Sequence, residues 1–118
     1  MSVKKIKLKQ ADIQRIRAIK DMLSHKQLPH TTIQHLAYEA GMNRTKLQYG
    51  FKKLFGISIY AFQVQMRMER ARKLLEETDK PIKQVAVLAG YNTISSFSAA
   101  FKKAFKQSPS QWRSEKQA

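Results

Sequence analysis

One pattern occurs twice in this chain. Residues 33–43 read IQHLAYEAGMN and residues 82–92 read IKQVAVLAGYN. They agree at Ile33/Ile82, Ala37/Ala86, Ala40/Ala89, Gly41/Gly90 and Asn43/Asn92. A second echo follows each: Phe51-Lys52-Lys53-Leu54-Phe55, then Phe101-Lys102-Lys103-Ala104-Phe105. The first pair is offset by 49 positions and the second by 50, so the second copy has one added residue between its Gly and its Phe. Such a repeat implies one supersecondary unit used twice.

The apolar spacing within and around the copies is helical. Ile13, Ile16, Ile19, Met22 and Leu23 predict a helix over 11–25, ended by Leu28-Pro29. Thr31 or Thr32 caps the next helix, which carries Ile33, Leu36, Ala37 and Ala40 and ends at a left-handed Gly41. Asn43 caps a third, with Leu47, Phe51, Leu54 and Phe55 turned inward and Gly56 closing it. The longest element starts at Ser58 and runs to 76, with Phe62, Met66, Ala71, Leu74 and Leu75 on its buried side. Pro81 suits a helix start. The second copy then gives a helix to Ala89, a bend at Gly90 and a helix from Thr93 or Ile94 to Lys106. Ser108-Pro109 opens a last short helix holding Trp112. No stretch alternates long enough to argue a strand. The class is all-α: about seven helices forming two helix-turn-helix subdomains joined by a long linker helix. The organisation is a basic lead-in (1–9), a first subdomain (10–57), the linker (58–76), a second subdomain (77–113) and a polar tail (114–118).

Charge narrows the partners. Lys and Arg number 23 against 8 Asp and Glu, a net charge of +15. A folded domain this basic repels itself, which points to a polyanion. Nucleic acid leads and an anionic membrane surface is the rival. With 42% apolar residues the chain has enough for a core. The absence of Cys excludes disulfides and thiolate metal sites. His25, His30 and His35 lack the i, i+4 spacing of a helical metal site, so no metal and no cofactor is expected. No run of apolar residues is long enough for a transmembrane helix, and MSVKKIKLKQ lacks a signal-peptide core. A soluble cytoplasmic protein is the default expectation, with no membrane among its expected partners. No nucleophile has a neighbouring His and acid, and no Gly-rich phosphate loop is present, so the chain is not read as an enzyme.

A helix, a Gly-bearing turn and a second helix make the helix-turn-helix layout. Ala37 and Ala86 allow the paired helices to pass closely. In this motif the first helix crosses the phosphate backbone and the start of the second enters the major groove. A linker over 58–76 would be roughly 28 Å long, near the spacing of about 34 Å between successive major grooves on one face of B-DNA.

These residues resemble the DNA-binding domain of the AraC/XylS family of bacterial transcription regulators. The resemblance rests on Pro81-Ile82, Val85-Ala86, Ala89-Gly90-Tyr91, Phe97, Phe101-Lys102-Lys103, Phe105 and Ser108-Pro109-Ser110-Gln111-Trp112-Arg113. The first copy and the linker run Arg67-Met68-Glu69-Arg70-Ala71-Arg72-Lys73-Leu74-Leu75 also follow the pattern. It covers about residue 8 to Arg113. The resemblance implies an asymmetric double-stranded DNA site read by two recognition helices in consecutive major grooves. Base contacts then fall to Arg44, Thr45, Gln48 and Tyr49 on the first, and to Ile94, Ser95, Ser98 and Ala99 on the second. Arg pairs with guanine and Gln with adenine, whereas Thr and Tyr offer methyl or ring contact. The second set holds no Arg, Asn or Gln. The first reader is therefore expected to supply most hydrogen-bonded specificity, and the second to touch thymine methyls. Phosphate contacts are expected from Lys52, Lys53, Lys102 and Lys103, and near the starts of the first helices from His30, Thr31, Thr32, Lys80 and Lys83.

Three positions depart from the family pattern. Lys106 stands where a Gly usually ends the second recognition helix, so that turn differs or Lys106 is one more phosphate contact. Ile59 replaces the usual Pro. Gly50 lies inside the first recognition helix and reflects either close backbone approach or tolerance. Elsewhere, Met66 and Met68 read as core and flank of the linker, Trp112 as a core plug and KKIKLK as a solvated run. Arg67 is either a DNA contact or half of an ion pair with a carboxylate such as Glu39. The chain either acts alone or is the C-terminal part of a larger regulator, monomeric as this piece. RNA polymerase is a further candidate partner. The competing readings are a non-specific architectural DNA binder and a protein-interaction module.

Overall fold

The computed structural model describes residues 6–25 and 31–117. The Leu28-Pro29 break, His30, the first five residues of the lead-in and Ala118 lie outside the described residues. The described residues form seven helices and no strand: α1 (Gln10–His25), α2 (Ile33–Ala40), α3 (Arg44–Phe55), α4 (Ile59–Glu77), α5 (Ile82–Leu88), α6 (Ile94–Phe105) and α7 (Pro109–Gln117). The all-α class read from the sequence is the class observed. Two compact units result, the first ending at Gln63 and the second beginning at Val64. The expected polar tail is helical as far as Gln117.

Short polar side chains set most helix starts by satisfying orphan N–H groups. Thr32, not Thr31, caps α2, its Oγ1 accepting from the His35 N–H at 3.1 Å. Asn43 Oδ1 accepts from the Lys46 N–H at 2.7 Å at the head of α3. Ser58 and Ser108 cap α4 and α7, accepting from Ala61 and Gln111 at 3.1 Å each. At α6 the cap is Thr93, which accepts from Ser96 at 3.1 Å. Asn92, aligned with Asn43 by identity, is therefore not its structural equivalent. Pro81 precedes α5 with no side-chain cap, and it has no N–H to satisfy.

The turns after α2 and α5 close alike. The Met42 N–H reaches the Ala37 carbonyl at 3.1 Å and the Tyr91 N–H reaches Ala86 at 2.9 Å. This six-residue closure needs a left-handed residue, supplied by Gly41 (φ 65°) and Gly90 (φ 95°). The added residue of the second copy, Asn92, lies after this closure and before the Thr93 cap.

In the first unit α1, α2 and α3 pack pairwise. The unit buries Ile16, Ile19, Leu23, Leu36, Ala37, Ala40, Leu47 and Phe51, with Ile59 and Phe62 from the start of α4. Ile59 is 3% exposed and Pro109, its counterpart, is also buried, so the Pro-to-Ile change keeps the same apolar seat. Gly50 is explained by close approach: a Cβ there would overlap the δ-methyl of Ile16 and come within 3.2 Å of Leu8. Gly50→Ala recovers about 1 kcal/mol of helix propensity but must displace a fully buried methyl. It is expected to be about 1 kcal/mol better tolerated with Ile16→Val than with Ile16 present. Equal effects in both backgrounds, measured by urea unfolding, would show that Gly50 has another cause.

The second unit clusters Met68, Ala71, Leu75, Val85, Ala86, Ala89, Phe97 and Phe101, with Leu74, Tyr91, Phe105 and Trp112 packed partly against them. The sequence pattern placed Met66 in the core; the buried residue is Met68, at 2% exposure. The reason is that α4 carries two apolar stripes. Ile59 and Phe62 serve the first unit, and Met68, Ala71 and Leu75 serve the second.

Each unit closes in the same way. Phe62 lies 5.7 Å from Phe51, and Trp112 lies 5.9 Å from Phe101. The next residue then grips backbone just before the helix-turn-helix. Gln63 Nε2 donates to the Thr31 carbonyl at 2.8 Å, and Arg113 Nη1 donates to the Lys80 carbonyl at 2.6 Å. Trp112 is thus the plug expected, and its Nε1 also donates to Glu76 at 2.9 Å. That indole N–H, together with Arg72, holds the Glu76 carboxyl below the usual carboxylate range.

Candidate nucleic-acid interface

The exposed side of α3 is set by what its other side must bury. Leu47 and Phe51 are fully buried and Gly50 lies under α1, which leaves Arg44, Thr45 and Gln48 facing solvent. Tyr49 is half-buried, with the Lys53 ammonium 5.8 Å from its ring centre. α6 repeats the arrangement 50 positions on. Phe97 and Phe101 are fully buried, Ile94 is 45% exposed, and Ser95 and Ala99 face solvent. Ser98, expected on the exposed face, is half-buried. Arg44 and Ile94 are each the first residue of their helix, so the four candidates on α3 and the four on α6 occupy matching positions.

The two faces differ chemically. α3 offers a guanidinium, an amide and hydroxyls. α6 offers an isoleucine, an alanine and two serine hydroxyls. The remaining serine of its first turn, Ser96, has its hydroxyl within 2.8 Å of Thr93 Oγ1.

Lys52 and Lys53 end α3, Lys102 and Lys103 end α6, and all four are exposed. Their charge also suits the negative end of the helix dipole. Lys106 keeps the left-handed ending that glycine usually provides. Its φ is 65°, and its N–H reaches the Lys102 carbonyl at 2.8 Å, as the Gly56 N–H reaches Lys52 at 2.8 Å. The turn therefore does not differ between the copies. Lys106 is the one non-glycine with positive φ among the described residues, a conformation that costs a residue with a Cβ about 1 kcal/mol.

The candidates near the first helices are less free. The Thr32 hydroxyl is committed to its cap and the Thr31 carbonyl to Gln63. The Lys80 backbone is held on both sides, by Thr78 Oγ1 at 3.3 Å and by Arg113. Lys83 is exposed. Glu39 pairs with His35 at 3.5 Å, and Arg67 forms no ion pair among the described residues.

Sequence reasoning missed three residues that hold these surfaces. Gln63 and Arg113 follow the aromatic plugs at a 50-residue offset, so extending the repeat comparison beyond Phe55 and Phe105 would have marked them. The third is Asp12. It is 6% exposed and accepts from the Lys9 N–H at 2.9 Å and from the Lys46 ammonium at 2.9 Å. Those bonds, Lys46 first, lower its pKa. No group of three or more His, Cys, Asp or Glu side chains fit to hold a metal occurs among the described residues, and no described helix is long and apolar enough to cross a membrane.

Two capped helix-turn-helix motifs, each with an exposed face on its second helix, define the class of double helix-turn-helix proteins. Comparison with known proteins places the chain within that class. A family model described as a helix-turn-helix domain matches residues 36–115. The transcriptional regulator MtrA of Neisseria gonorrhoeae is 32% identical over 83 residues, 70% of this chain and 28% of that protein. The chain thus spans less than a third of that relative's length. A solved transcriptional regulator of Chromobacterium violaceum, described as having an AraC-type DNA-binding domain, superposes with a TM-score of 0.79 at 25% identity, covering 91% of this chain and 96% of that one. The DNA-binding domain of AdpA, solved with a target DNA, shares the fold with a TM-score of 0.75 at 23% identity, covering 88% and 91%. The chain belongs to the AraC/XylS family of helix-turn-helix transcription regulators.

Proposed function

We propose that the chain binds double-stranded DNA in a sequence-specific manner in bacterial transcription regulation, with α3 and α6 in consecutive major grooves. The observation that carries this reading is the pair of equivalent exposed faces. Arg44, Thr45, Gln48 and Tyr49 on α3 match Ile94, Ser95, Ser98 and Ala99 on α6, and each helix ends in exposed lysines. Family membership and the fold shared with a domain solved on its target DNA support it.

Arg44 has the paired donors for a guanine edge, and Gln48 has the amide donor and acceptor for an adenine edge. Ile94 and Ala99 suit thymine methyls. Lys52, Lys53, Lys83, Lys102, Lys103 and Lys106 hold phosphates by charge. Thr31, Thr32 and Lys80 sit at the helix starts, where phosphate oxygens are favoured. Lys106→Gly separates the two roles of its position. It is expected to raise stability by about 1 kcal/mol, because Gly adopts the left-handed turn without strain. It should also weaken binding to every duplex and reduce the log–log salt slope by about 0.9. A stabilised variant with unchanged salt dependence would remove Lys106 from the phosphate set.

The deciding experiment is selection of bound duplexes from a random pool at physiological salt, where the non-specific contribution is weakened. Two enriched boxes about one helical turn apart are expected, with more information in the box read by α3. One box alone would mean that a single helix reads bases. The small, largely apolar face of α6 favours one rival, a non-specific architectural binder, for which the selected pool would show a flat profile.

A further inference from the structure

Among the described residues, Lys46 is the one lysine held in an ion pair. It is the third residue of α3, between Arg44 and Thr45 on one side and Gln48 on the other. A lysine in the first turn of a recognition helix is placed to meet the DNA backbone, where it adds affinity without regard to sequence. Here its side chain is only 27% exposed, and its ammonium is 2.9 Å from Asp12 Oδ2. The carboxylate cannot easily follow the lysine outward. Asp12 has a side chain 8% exposed, and the same Oδ2 is fixed by the Lys9 N–H at the head of α1. Lys52, Lys53, Lys102, Lys103 and Lys106 have no such anchor among the described residues.

We propose that Asp12 is a specificity-determining residue that keeps the Lys46 ammonium off the DNA backbone. This rests on the reading of α3 as a recognition helix. In a chain of net charge +15, non-specific attraction is already strong. One more phosphate contact at the head of the reader would raise binding to every sequence and add nothing to discrimination. The ion pair removes that contact and also ties the start of α3 to α1.

The test compares binding of wild type, Asp12→Asn, Lys46→Met and the double variant to a random-sequence duplex pool over a range of salt. Asn retains an acceptor for the Lys9 N–H. Asp12→Asn is expected to bind the pool roughly three- to tenfold more tightly near 0.1 M salt, with a log–log salt slope steeper by about 0.9. Its preference for a duplex enriched by selection should fall by the same factor. Adding Lys46→Met should return both values to those of wild type. Lys46→Met alone, which does not depend on the folding of the Asp12 variant, should leave the slope unchanged. A flatter slope in Lys46→Met would show that Lys46 touches phosphate despite Asp12 and would overturn the proposal. So would an Asp12→Asn slope equal to wild type, or a tighter binding that persists without Lys46. Failure of the wild type itself to bind duplex at low salt would instead remove the DNA-binding reading, and this proposal with it.

Discussion

Arg113→Ala is expected to destabilise the second unit by about 3 kcal/mol. The guanidinium donates to the carbonyls of Lys80 at 2.6 Å, Thr78 at 3.1 Å, Leu75 at 3.2 Å and, at the limit, Leu74 at 3.5 Å. Leu74 and Leu75 belong to the last turn of α4; the Leu74 carbonyl already accepts from the Thr78 N–H at 3.1 Å, and Leu75 lies where helix geometry leaves carbonyls in need of outside donors. Thr78 and Lys80 belong to the segment leading into α5. One planar cation therefore ties a helix end to the chain that follows it. Hydrogen bonds from a charged donor contribute more than neutral ones, and alanine would take the guanidinium from the Lys80 carbonyl while Gln117 Nε2 still reaches Leu75 at 2.7 Å and Thr78 at 2.9 Å. Arg113→Lys should recover less than half of the loss, since one ammonium cannot span the acceptors that a guanidinium fork reaches. Trp112, the single tryptophan, lies beside Arg113 and reports on this unit. Urea unfolding followed by its fluorescence gives the number. A loss below about 1 kcal/mol would mean that water replaces the arginine without cost. Gln63→Ala, which removes one neutral bond to Thr31, is the natural control and should cost about 1 kcal/mol.

The largest effect on binding is expected at α3. Arg44→Ala or Gln48→Ala should each lower discrimination at one base position by roughly ten- to a hundredfold, the value of one bidentate contact. Ser95→Ala and Ser98→Ala should change it less. A serine hydroxyl offers a single adaptable contact, and Ser98 is half-buried. Titration of the selected duplex against duplexes changed at one base pair measures both. Comparable losses on the two helices would sink the assignment of hydrogen-bonded readout to α3. The Asn43 cap matters to this comparison, because it fixes the first turn from which Arg44 projects.

Much of the scaffold was legible because local chemistry dictates it. Thr32, Asn43, Gly41 and Gly56 are end signals that act within a few residues. Phe51, Phe97 and Phe101 follow from helical spacing. The misread positions have one cause each. A single periodicity along α4 selects Met66, whereas the helix serves two cores and buries Met68. Asn92 matches Asn43 by identity, but in the second copy the cap lies one residue on, at Thr93. The ion pair of Asp12 with Lys46 joins distant parts of the chain and has no periodic signature. The grips of Gln63 and Arg113 fall on backbone carbonyls, which every residue carries and no pattern marks. On the recognition faces, spacing identified which positions of α3 stay clear of the core. The half-burial of Tyr49 and Ser98 is not fixed by that spacing.

Asn92 stands between two finished pieces of hydrogen bonding, the closure after α5 and the cap before α6. A residue can enter or leave there without costing either one its partners. The turn is therefore the adjustable joint of the unit. The direction in which a reading helix departs from its supporting helix can be retuned by a single insertion, separately from the aromatic core that both helices share.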